Sequence, residues 1–225
     1  MYINFRGIMA NDNEITIQKN LTNKERIINF YNNNKLLIYS SLFVLLTIII
    51  SIFLYLEIKE TNKEKLANNY IEAKISIENG NQEQASKILK DIIFEDESTY
   101  SALSLFLILD ENLIKDRKEV MSLFDHLLKN NKFDNEIRNL IIFKKGLFES
   151  NNTDEQKLLN SVNSIISSES FWKPHALLML ADFFASKKEY LKAKEFYMQI
   201  LSLKNINEKF YSQARSQLLF IQNEK

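Results

Sequence analysis

Apolar positions fall into two regimes along this chain: one unbroken run near the start, and a succession of shorter periodic segments behind it. The run, LLIYSSLFVLLTIIISIFLYL, fills residues 36–56 without a charge and is bracketed by Lys35 and Glu57. As a helix rising about 1.5 Å per residue it would be roughly 30 Å long, the hydrocarbon thickness of a bilayer. Tyr39 and Tyr55 stand near its ends, where amphipathic rings favour the headgroup level. A signal-peptide core is about 7 to 15 residues long with a short leader and a small-residue cleavage site, whereas this run follows residues 1–35 and ends Tyr55-Leu56-Glu57. The pattern therefore predicts an uncleaved transmembrane helix. The next apolar stretch, residues 102–109, stops at Asp110, so a single pass is expected.

Residues 57–225 contain only two glycines, Gly80 and Gly146, and one proline, Pro174, which argues against a turn-rich sheet domain. An all-α domain is expected. Polar clusters at 78–82, 95–99, 111–116, 129–135, 150–155, 167–170, 186–189 and 203–207 separate apolar-periodic segments. Start signals agree with these breaks: Thr153 with Gln156 reads as a capping box, Asn81 can cap the segment after Gly80, and Pro174 falls in a first turn. The strand-like segment LSLFLIL, residues 103–109, has no convincing partner and is assigned to a helix.

The segments come in pairs. Second-of-pair helices start near Asn81, Leu113, Asp154 and Glu189, a spacing of roughly 34 residues as in helical-hairpin solenoids. In the first pair Ala73, Gly80 and Ala85 stand at offsets 0, 7 and 12; in the last, Ala181, Lys188 and Ala193 repeat them, with Tyr190, Tyr197 and Leu177 in register. This pattern resembles the tetratricopeptide repeat. Small residues at the alanine positions let paired helices approach closely, and the tyrosines fill space towards a neighbouring repeat. The middle pairs, residues 98–130 and 134–168, keep the rhythm but lose the small residues, and residues 208–222 read as a capping helix. The expected organisation is thus a leader (1–35), a transmembrane helix (36–56) and a degenerate repeat domain (57–225) of about four pairs plus a cap.

Charge adds little direction. Lys19, Lys24, Arg26 and Lys35 before the span balance Lys59, Lys63, Lys65 and Lys74 after it. Acidic residues dilute the second group more than the first, which tilts the reading towards an inside N-terminus. With 29 basic and 29 acidic residues interspersed everywhere, no basic face for nucleic acid is expected. The absence of cysteine fits either compartment.

The leader KERIINFYNNNK, the stretch NNYIEAKISIENGNQEQASKIL behind the span, and WKPHALLMLADFF with its following helix resemble the YfgM-like family, ancillary subunits of the SecYEG translocon, in its divergent alphaproteobacterial branch. The resemblance implies an inner-membrane protein with a cytoplasmic N-terminus and a periplasmic domain, whose partners are translocon subunits and periplasmic chaperones. A structural or coordinating protein of the cell envelope, serving wall synthesis or division, is the alternative.

Nothing in the chain points to catalysis. His126 and His175 lie on different predicted helices without nearby ligating residues, and no phosphate loop or serine elbow is present. Asp91, Glu95, Asp96 and Glu97 read as a solvated helix end. No enzyme activity, cofactor or metal is expected. Among the aromatics Phe171, Trp172, Phe183, Phe184, Tyr190, Phe196 and Tyr197, the candidate partner contacts are Trp172 and Phe183. Ser40, Thr47 and Ser51 share one face of the span and are the candidate contact with another transmembrane helix. Thr22 with Glu25 can cap a short segment bearing Ile27, Ile28, Phe30 and Tyr31; an interfacial helix and an extension of the span both fit it.

Overall fold

The computed structural model describes residues 23–150, 153–204 and 206–223, which form ten helices and no strand. They are α1 (Asn23–Asn33), α2 (Lys35–Glu78), α3 (Gln82–Phe94), α4 (Ser98–Asp110), α5 (Arg117–Asn130), α6 (Asn135–Ser150), α7 (Glu155–Ile166), α8 (Lys173–Ser186), α9 (Tyr190–Leu201) and α10 (Glu208–Asn223). The chain is all-helical, and residues 103–109 lie within α4. It divides into two compact units, residues 1–60 and 61–225.

In the first unit α1 stops at Asn33. The Asn34 side chain donates to the Phe30 carbonyl at 2.9 Å, and across this bend the Tyr31 and Tyr39 hydroxyls meet at 2.6 Å. Thr22, the expected cap, lies outside the described residues. Among them α2 is the one helix long and apolar enough to cross a membrane, and none of its most apolar window is buried inside the protein. A core helix of a soluble domain would be mostly buried, so that reading does not fit. The sequence pattern places a boundary at Glu57, yet α2 runs on to Glu78. The physical reason is that Glu, Lys, Ala and Leu are good helix formers and no glycine or proline intervenes before Gly80. Charge marks the end of the apolar stretch, not of the helix.

In the second unit the turns are set by a recurring device. Gly80 has φ 76°, its N–H reaches the Ile77 carbonyl at 2.9 Å, and the Asn81 N–H reaches Ser76 at 2.8 Å. This is the Schellman arrangement, in which a left-handed residue lets two N–H groups satisfy the last carbonyls of a helix. Asn112 (φ 49°) and Lys188 (φ 61°) build the same turn after α4 and α8, with Leu113 bonded to Ile108 and Glu189 to Phe184. New helices then start on side-chain caps from Asn81, Glu97, Asp116 and Asp154. Two expectations shift. The helix predicted near Leu113 begins at Arg117, because residues 113–116 form no helix and the extended Asp116 supplies the cap. The cap of α7 is Asp154, accepting from the Lys157 N–H at 2.8 Å, and the Thr153 hydroxyl is buried without a hydrogen-bond partner.

The helices pack mainly with their sequence neighbours: α3 along α4, α6 along α7, α8 along α9, and α10 along α9. By contrast α4 and α5, expected as a hairpin, meet over a shorter stretch. Two apolar cores result. One gathers Leu89, Ile93, Leu105, Phe124 and Leu127 with Leu66 and Ala73 of α2; the other gathers Leu158, Leu177, Phe184, Tyr197 and Ile200 with Ala214 of α10. Helix α6 serves both, with Ile141 in the first core and Ile142 and Phe143 against the second.

Candidate functional site: an aromatic cleft at the start of α8

Glu136, on α6, reaches the turn that precedes α8. Its carboxylate accepts from the Ser170 hydroxyl at 2.9 Å and from the Phe171 backbone N–H at 3.1 Å, while the Ser170 oxygen accepts from the Trp172 N–H at 3.1 Å. Pro174 then opens α8, where the missing N–H would have had no helical partner. The clamp fixes where the next rings sit. Trp172 stacks on Phe143 with centroids 5.7 Å apart, and His175 lies 4.9 Å from Trp172 and 4.6 Å from Phe210 of α10. Phe171 stands edge-on to Trp172 and is 70% exposed.

In front of these rings opens a cleft of about 330 Å³, lined by Phe171, His175, Ile206 and Phe210. Its charged lining residues are Lys173, Lys204 and Glu169, a net positive rim on an apolar floor. Burial pushes the His175 pKa below its ordinary value; the Phe171 carbonyl opposes this and the Lys209 charge adds to it. The Nδ1 atom of His175 is buried with no hydrogen-bond partner. No group of three or more His, Cys, Asp and Glu among the described residues is placed to hold a metal ion. Such a cleft can bind, by burying an apolar group beside a positive rim.

No protein-family model, curated protein or solved structure matches the chain.

The two rings proposed as partner contacts part company. Trp172 is half-buried behind the cleft, stacked between Phe143 and His175. Phe183 is only 7% exposed, edge-on to Phe184 and covered by the Lys187 ammonium 4.2 Å above its ring. The reason is the position of α8, which is packed by α6, α7, α9 and α10 and has little free face. Phe171, one residue before Trp172, holds the exposure instead; the helix boundary supplies it, and aromatic content alone gave no sign of which ring would face water.

The repeat-packing residues Ala73, Ala85, Leu177, Ala181, Ala193 and Tyr197 are fully buried, and Tyr190 is half-buried against the C-terminal core. The Tyr197 hydroxyl donates to Asp182 at 2.6 Å, across its own pair, and burial first, then this carboxylate, raises its pKa. The middle pairs do retain one small residue. Gly146 lies 35 residues before Ala181, in the alanine register, and a Cβ there would sit 2.8 Å from Val162 Cγ1. An isolated glycine in a helical segment concealed this in the sequence. On the span, Ser40, Thr47 and Ser51 each donate to a carbonyl of their own helix, at 2.8 to 3.0 Å, which leaves their hydroxyl protons satisfied without a partner. His126 bridges α5 to Asp96 at 2.8 Å, and its ring lies edge-on to Phe94.

Proposed function

We propose that the chain is a membrane-anchored protein-binding scaffold: a bilayer span at residues 36–56 and a degenerate tetratricopeptide-like domain at residues 57–225, held on the periplasmic face of a bacterial inner membrane. There it serves as an ancillary factor of the protein-translocation machinery and links it to periplasmic chaperones. The observation that carries the reading is the aromatic cleft, where Phe171 and a net positive rim remain open to solvent on a chain that also bears an apolar helix of spanning length. The shared offset of the turns at Gly80 and Lys188, with buried alanines on either side, supports the repeat assignment. Tethering supplies the mechanism. Confinement to the membrane surface raises the local concentration of the domain, so weak contacts suffice.

A photoreactive residue at Phe171 in the full chain, irradiated in native membranes, tests the proposal. Adducts with translocon subunits or chaperones are expected; adducts with wall-synthesis or division proteins would transfer the scaffold to the envelope reading. Protease added to intact spheroplasts tests orientation independently, and protection of the domain would overturn the periplasmic placement.

A further inference from the structure

Helix α1 is amphipathic. At 100° per residue, Ile27, Ile28, Phe30 and Tyr31 fall in one arc, which the first-turn residues Asn23 and Lys24 share, and Glu25, Arg26, Asn29, Asn32 and Asn33 occupy the other. The four apolar side chains are all exposed, Ile27 at 70% and Phe30 at 64%. Across the bend at Asn34 the helix is tied to the start of the span by the Tyr31–Tyr39 hydroxyl pair, and the Lys35 ammonium lies 5.9 Å from the Tyr31 ring. The apolar face therefore ends where the apolar run of α2 begins. Lys24, Arg26 and Lys35 outnumber Glu25 along this stretch, the balance that suits anionic headgroups.

We infer that α1 lies in the membrane interface on the side where the chain enters the bilayer, with Ile27, Ile28, Phe30 and Tyr31 in the lipid and the Asn29 side in water. The inference rests on residues 36–56 spanning the bilayer. Its occupant is lipid: the face is continuous with the span, and the tyrosine pair holds it at headgroup level, where such rings partition. The interruption at Asn34 makes α1 a helix separate from α2, whereas an extension of the span would be one continuous helix.

The chain contains no cysteine, so single-cysteine variants of the full protein report one position each. In vesicles of phosphatidylethanolamine and phosphatidylglycerol, Ile27→Cys, Phe30→Cys and Tyr31→Cys should react with a membrane-impermeant maleimide about tenfold more slowly than Asn29→Cys and Asn33→Cys, the factor that burial of one apolar side chain supplies. Bimane attached at Ile27→Cys should be quenched by lipids brominated near the headgroup end of the acyl chain. Rapid labelling of every α1 position while Ile49→Cys stays protected overturns the inference and leaves the span standing. Slow labelling without lipid quenching also overturns it, because protein then covers the face. Rapid labelling at Ile49→Cys removes the span and this inference with it.

Discussion

Gly146→Ala tests whether α6, α7 and α8 approach as closely as the structure has them. In an open helix this change would stabilise by about 1 kcal/mol, because glycine has the greater backbone freedom to lose. Here the new Cβ would lie 2.8 Å from Val162 Cγ1 and 3.3 Å from Met179 Cε, against an optimum of about 3.5 to 4.0 Å between carbons. Met179 can swing aside. Val162 cannot: it is fully buried, and a β-branched side chain in a helix has one strongly preferred rotamer. Overpacking of this kind costs about 1 to 3 kcal/mol, so after the propensity gain the net loss should be about 1 kcal/mol. Val162→Ala alone should cost about 2 kcal/mol for two buried methyl groups and the space they leave. In that background the added methyl has room, and Gly146→Ala should then stabilise by about 1 kcal/mol, a coupling of about 2 kcal/mol within the range seen for residues in contact. The assay is urea unfolding of the full chain in detergent, followed by the fluorescence of Trp172, the only tryptophan, which stacks on Phe143 one turn from Gly146. With a urea slope of about 2 kcal/mol/M, each kcal/mol moves the midpoint by about 0.5 M. A higher midpoint for Gly146→Ala in the native background, or the same shift in both backgrounds, would refute the close approach.

Other consequences can be checked in the same assay. At the left-handed turns, Gly80→Ala should destabilise by about 1 kcal/mol through backbone strain alone, since no atom lies within 4 Å of the new methyl, while Lys188→Gly should stabilise by roughly 0.5 kcal/mol. The lowered pKa of His175 means that, just below about pH 6.5, the unfolded chain binds more protons than the folded one, so stability should fall as pH drops through that window. His175→Phe should flatten this fall relative to the native chain, with His126 present in both. Phe183→Ala should lower stability by about 3 to 5 kcal/mol, whereas Phe171→Ala should change it by no more than about 0.5 kcal/mol and instead reduce partner crosslinking. At the start of α7, Asp154→Ala should cost about 1 kcal/mol for its lost cap, and Thr153→Ala less.

Much of the helical layout was legible because polar clusters interrupt a chain poor in glycine and proline. Boundaries at Asn81, Asp154 and Glu189 were within a residue of the helix starts, where caps and left-handed turns leave local traces. Helix α5 starts four residues after the expected position, since the left-handed stop falls on Asn112 and not on a glycine, and the apolar Leu113 and Ile114 mimic a helix. The end of the apolar run bounds the expected span, while the helix continues to Glu78, because charge reports solvent and not backbone geometry. The site was less visible. The Glu136 clamp on Ser170 and Phe171 joins residues more than thirty apart, and no local pattern encodes it. Whether Phe171 or Phe183 faces water depends on how many helices surround α8, a property of assembly and not of the segment.

Helix α6 belongs to both cores through adjacent residues, Ile141 on one side and Ile142 with Phe143 on the other. Opening of the N-terminal helices leaves it sheltered by α7 and α8, and opening of the C-terminal helices leaves it sheltered by the first core. The amides around Ile141 to Phe143 meet solvent only when both halves are open together, so they should be among the last in the domain to exchange, near the rate of global unfolding. The helix that positions the cleft through Glu136 is thereby among those least disturbed by local fluctuation, and the clamp should persist while the terminal helices fray.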